Sequence, residues 1–240
     1  MFIITAAAVV CAYIVKGMCG FANTLVFSAI MSFTINNINI SPLDLIIGYP
    51  SNIYISWKER KGISIKSILP MALMVVAGLI PGVLFLSKGN VALIKIIFGF
   101  VVISAGMEMF FRERRKEKKK SSRLLLSVIG ILTGLLCGLF GIGALLAAYT
   151  SRTADNKNQF RGNTCFIFLI ENTVRIVLYT ATGIINIIVL KKAVLLIPFM
   201  LAGLFTGTFL SDKFSEGLIK KAIIAALILS GISIVITNFI

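Results

Sequence analysis

The chain has 240 residues, 58% of them hydrophobic and only 14% charged, with a formal net charge of +15. Soluble domains are about 45–50% apolar, and several uncharged stretches here reach the ~20 residues that cross a bilayer. The chain therefore reads as an all-α polytopic membrane protein with about 6–8 transmembrane helices. The basic residues sit in short loops between apolar segments. That argues against a nucleic-acid partner and fits loops lying against anionic lipid headgroups. There is no His, which removes imidazole metal ligands and histidine acid–base chemistry. Cys11, Cys19, Cys137 and Cys165 are scattered through apolar segments without a CxxC, and read as small packing residues. No GxxxxGK[ST], HExxH or GxSxG occurs. No catalytic residue, metal site or cofactor is expected, and the chain is not read as an enzyme.

In chain order, Met1–Phe33 is nearly all apolar, interrupted by Lys16 and by Gly17-Met18-Cys19-Gly20-Phe21-Ala22-Asn23-Thr24. It lacks a basic leading region and a clear cleavage site, so a cleavable signal peptide is not expected. Ile40–Trp57 is the next span, with Pro50 inside it, followed by the basic loop Lys58–Lys66. Ser67–Ser87 and Val91–Phe111 are spans joined by a turn at Lys88-Gly89-Asn90. Arg112–Arg123 is dense in Lys and Arg and reads as a cytoplasmic linker. Leu124–Ser151 holds a second glycine cluster, Cys137-Gly138-Leu139-Phe140-Gly141-Ile142-Gly143-Ala144. Arg152–Arg161 reads as a polar loop and Gly162–Leu190 as a span carrying Glu171 and Arg175. A basic turn at Lys191-Lys192 precedes the span Ala193–Ser211. A turn at Asp212–Gly217 leads to the last span, Ala222–Ile240.

The halves repeat. Ala77-Gly78-Leu79-Ile80-Pro81-Gly82 aligns with Ala202-Gly203-Leu204-Phe205-Thr206-Gly207. The alignment continues without a gap through Lys88/Lys213, Lys95/Lys220 and Gly106/Gly231. This divides the chain into a first repeat over 1–111, the basic linker 112–123 and a second repeat over 124–240. Internal duplication with matching helix interruptions is a pointer to a transporter and to its binding site.

With these segments the chain resembles the sulfite exporter TauE/SafE family of membrane transporters. The resemblance lies in a Gly-rich motif opening each half (Gly17–Thr24 and Gly138–Ala144) and an AGLxxGxxL-like segment late in each half. It covers nearly the whole chain. Asn23-Thr24 and Ala144 stand at glycine-like positions, and no proline follows the motifs. The resemblance implies movement of small oxyanions and organosulfur anions, with export of sulfite as the family's namesake. A multi-pass protein of the plasma membrane, of bacterial type, is expected. A carboxylate as the cargo, or a membrane scaffold that moves nothing, are the alternatives.

Met1–Phe33 and Leu124–Ser151 are awkward lengths. At about 1.5 Å per residue each exceeds one crossing of a ~30 Å core and falls short of two. Each is either one discontinuous helix that crosses or a re-entrant pair of half-helices. Single crossings would make the halves parallel repeats; re-entrant ones would make them inverted. Only the inverted arrangement gathers Lys58–Lys66, Arg112–Arg123, Arg152–Arg161 and Lys213–Lys221 on one side, as the positive-inside rule favours.

The binding site is expected where the two glycine clusters meet. A half-helix starting there presents free N–H groups and the positive end of its dipole. The residues expected to bind the anion are Lys16, Gly17, Gly20, Asn23, Thr24, Gly141, Gly143, Asn172 and Arg175. Lys16 either serves the site or snorkels to the interface. Glu171 and Arg175, four apart, share a helix face. They form a structural ion pair, or Arg175 grips the anion, or Glu171 carries a coupling proton. Asp44, Lys95 and Glu108 read as interfacial anchors. Gly78, Gly82, Gly203 and Gly207 fit close helix packing. With the cytoplasm negative, a monoanion leaves downhill by about 2.3 kcal/mol per 100 mV, so export needs no ATP.

Overall fold

The computed structural model describes residues 2–31, 40–86, 123–141 and 143–215, with single positions between 100 and 111 and between 217 and 236. Lys88, Lys95, Gly106, Glu108, residues 112–122 of the linker, Lys220 and Gly231 lie outside the described residues. Among those described the chain is helical. The elements are α1 (Phe2–Cys19), α2 (Asn23–Met31), α3 (Ile40–Lys58), a 3-10 turn (Arg60–Gly62) and α4 (Ile65–Leu86). They continue as α5 (Arg123–Phe140), α6 (Ala144–Thr153), α7 (Lys157–Ala181) and α8 (Ile187–Lys213). By length and apolar content α1, α4, α7 and α8 can each cross a membrane. Their outward faces carry exposed apolar side chains such as Leu73, Val177, Val194 and Phe209, which a bilayer would cover.

Two glycine seams hold the helices together. A Cβ added to Gly78 or Gly82 of α4 would run into the carbonyl oxygens of Ile131 and Leu135 on α5, and one on Gly134 into that of Val75. In the second seam, Gly203 and Gly207 of α8 lie against the carbonyls of Val10 and Ile14 on α1, and Gly17 lies against that of Leu204. Backbones approach this closely only where no side chain intervenes. In both seams residue numbers ascend together, so α4 runs parallel to α5 and α1 parallel to α8. By contrast, α3 and α7 are antiparallel. Ser41 faces Tyr179, Tyr49 Oη lies 3.0 Å from Thr173 Oγ1, and Glu59 meets Arg161. α8 packs on α3, and α4 packs on α7.

Helix ends differ from the sequence reading in two places. Arg161, expected at the end of a polar loop, is fully buried inside α7. The helix begins earlier because Asn156 caps it, its side chain accepting from Gln159 N at 2.9 Å. The turn expected at Lys191-Lys192 falls earlier. Gly183 takes φ 74°, Asn186 accepts from Ile188 N and Val189 N, and both lysines lie inside α8.

Arg161 anchors a cluster at one end of the bundle. Its Nη1 lies 3.3 Å from Glu59 Oε1 and donates to Ser211 Oγ at 3.1 Å. Lys58 pairs with Asp212 at 2.8 Å, and Lys157 Nζ donates to the Ser211 carbonyl at 2.8 Å. Burial raises the Glu59 carboxyl above its ordinary range, while the Arg161 charge pulls it down. The ends of α3 and α8 and the start of α7 thus share one face of the molecule.

Candidate functional site

α1 stops at Cys19 because Gly20 takes φ 83°, its N–H still reaching the Lys16 carbonyl at 2.6 Å. α5 stops in the same way at Gly141, with φ 73° and an N–H bond of 2.8 Å to the Cys137 carbonyl. A left-handed residue after the last turn is a common helix stop, and glycine adopts it without steric cost. Three residues after each of these glycines the chain is helical again, in α2 and α6. The starts of these two short helices face a common cavity between the middles of α3 and α7. Lys16, residues 21–25, Asp44, Gly48, Asn52, Gly141, Gly143, Phe168, Asn172 and Arg175 line it. Its free space, about 20 Å³ for the centre of a water-sized sphere, admits about one water molecule. A polyatomic anion requires the walls to move apart.

Of the residues expected at the site, Lys16, Asn23, Thr24, Gly141, Gly143, Asn172 and Arg175 are brought together at this cavity. Gly17 is in the α1–α8 seam, where a Cβ would stand 2.6 Å from the Leu204 carbonyl oxygen. Gly20 lies behind the cavity, where a Cβ would stand 3.1 Å from Arg161 Cα. Glu171 sits beside Arg175 rather than in the lining.

Asp44 is no interfacial anchor: it is 2% exposed. Tyr13 Oη donates to Oδ1 at 3.1 Å. Asn23 Nδ2 donates to both carboxylate oxygens, at 3.0 and 2.9 Å, and Thr24 Oγ1 donates to Oδ2. The side chains expected to receive an anion are therefore held by an internal carboxylate. Such a group survives burial through its hydrogen bonds.

Lys16 is 2% exposed. Among the described residues its ammonium has neither an ion pair nor a hydrogen bond; it lies 5.7 Å from the Tyr13 ring centroid. It does not snorkel.

Arg175 Nη1 donates to the Cys137 carbonyl at 2.6 Å and lies 3.4 Å from Glu171 Oε1. Tyr179 Oη donates to the Gly138 carbonyl at 2.9 Å. Together they satisfy carbonyls in the last turn of α5, where a cation also suits the helix dipole. The same guanidinium borders the cavity, because a Cβ on Gly141 would come 3.0 Å from Nη1.

The sequence reading passed over Asn52. It is 1% exposed, it lines the cavity, and among the described residues neither atom of its amide has a partner. A signal was present, since 44, 48 and 52 fall four apart on one helix face.

A family model described as "Sulfite exporter TauE/SafE" matches residues 5–234. The chain belongs to the sulfite exporter TauE/SafE family. No curated protein and no solved structure matches the chain. TauE/SafE membership makes it a membrane transporter, and Lys16, Asp44, Asn52 and Arg175 meet at the cavity between α2 and α6.

Proposed function

We propose that this protein is a secondary transporter that exports small oxyanions, sulfite or an organosulfur anion, across the plasma membrane. One observation carries the reading. Lys16, Arg175 and the amide of Asn52, which has no partner among the described residues, converge where two helices begin. Helix starts offer N–H groups to anions, and α6 has no side-chain cap at Gly143. A buried polar group without a partner calls for an explanation, and a ligand that supplies the missing bonds is one.

The two halves are inverted repeats, with α1–α2 and α5–α6 as re-entrant hairpins entering from opposite faces. Support comes from the matching seams α1–α8 and α4–α5, and from the antiparallel α3 and α7. The face bearing Lys58, Arg60, Lys157 and Lys213 is then cytoplasmic by the positive-inside rule, as is the linker 112–123.

The test is release of sulfite, and separately of a simple carboxylate, from proteoliposomes holding the purified protein. Sulfite release that falls at least tenfold in Lys16→Ala is the expected result. Carboxylate release alone would change the cargo. No release of either from folded protein would contradict transport and favour a scaffold.

A further inference from the structure

The charged groups at the cavity are unevenly partnered. Arg175 has Glu171 beside it at 3.4 Å. Among the described residues Asp44 makes no ion pair; neutral donors hold it, from Tyr13 on α1 and from Asn23 and Thr24 on α2. Lys16 on α1 faces the same cavity without a direct partner. The titratable groups around Asp44 are Tyr13 and Lys16 on α1 and, across the cavity, Arg175 on α7 with Glu171 beside it. Among the described residues, these two cations and two carboxylates sum to zero when each carries its ordinary charge.

A monoanion entering this balanced, buried space brings an uncompensated charge, which is costly away from water. One added proton restores the balance. Glu171 is engaged by a guanidinium and Asp44 is not. Ionised, Asp44 only accepts hydrogen bonds; protonated, it gains a donor and has less capacity to accept. That releases Asn23 Nδ2 or Thr24 Oγ1, both at the helix start facing the cavity.

We propose that Asp44 takes up one proton with each monoanion bound, so that the proton balances the charge and frees the donors that receive the anion. The inference rests on the cavity being the anion site. A monoanion moving with a proton carries no net charge. The membrane potential then drops out, and export runs on the anion and pH gradients.

Calorimetric binding of sulfite and of methanesulfonate, each in two buffers of different ionisation enthalpy, counts the protons. Methanesulfonate has no proton of its own near neutral pH. Wild type is expected to take up about one proton more per anion than Asp44→Asn, for either ligand. Any titration of sulfite itself cancels in that difference. Equal proton numbers would overturn the proposal, as would uptake that persists in Asp44→Asn and is lost in Glu171→Gln. Should Asp44→Asn fail to fold, methanesulfonate binding to wild type with no proton uptake would overturn it equally. Binding of neither ligand would contradict the anion site itself.

Discussion

At residues 20–22 the chain leaves α1 through Gly20 at φ 83° and Ala22 at φ 74°, and at residue 141 it leaves α5 through Gly141 at φ 73°. The two helix ends share their hydrogen-bond pattern, their glycine seams and their return into a short helix. Their side chains differ. Aligning the glycines puts Lys16 opposite Cys137 and Asn23 opposite Ala144. The first of these helix ends, between α1 and α2, brings its own cation and donors to the cavity. The second brings backbone, and its cation, Arg175, comes from α7. Repetition of the backbone thus shapes a two-sided cavity, while divergence of the side chains makes it a single site with charge arranged asymmetrically.

Arg161, paired with Glu59, packs behind the α1–α2 turn at Gly20, and no counterpart is described behind the α5–α6 turn. Arg161→Ala leaves the buried Glu59 carboxylate unpaired and should cost about 3–5 kcal/mol of stability, read by unfolding in micelles. A loss below 1 kcal/mol would make the cluster ornamental.

The two seams should respond alike. Gly78→Val and Gly207→Val each push a side chain into a facing carbonyl and should each cost about 1–3 kcal/mol. A large difference between them would break the symmetry of the packing. The smallest effect belongs to Ala22, a residue with a Cβ in the left-handed region. Ala22→Gly should raise stability by about 1 kcal/mol, whereas Gly141→Ala should lower it by a similar amount. Melting temperatures of the two variants check both signs.

Much of this architecture was legible in the sequence. The seams were visible as small residues recurring at the same spacing in both halves, because close backbone approach leaves no alternative to glycine. Lys16 and Arg175 stood out because a cation in an apolar run is costly. Asp44 and Arg161 were misread because both lie near segment ends, where position in sequence says nothing of burial. Their partners, Asn23 for one and Glu59 and Ser211 for the other, come from helices brought alongside only by folding. Gly17 and Gly20 share a motif with Asn23 yet face different neighbours, since a few residues turn the chain from a seam to a cavity. Asn52 drew no notice because an unpartnered amide is a property of the packed interior.

Asn52 shows most directly whether the cavity keeps polar groups unsatisfied for an anion. Asn52→Leu, similar in size and apolar, removes two buried atoms that have no partner among the described residues. Stability and equilibrium sulfite binding would be measured on the same purified protein. A binding site requires the variant to be more stable, by about 1–3 kcal/mol, and to bind sulfite at least tenfold more weakly. A variant that binds sulfite as wild type does, or that is less stable, would contradict it.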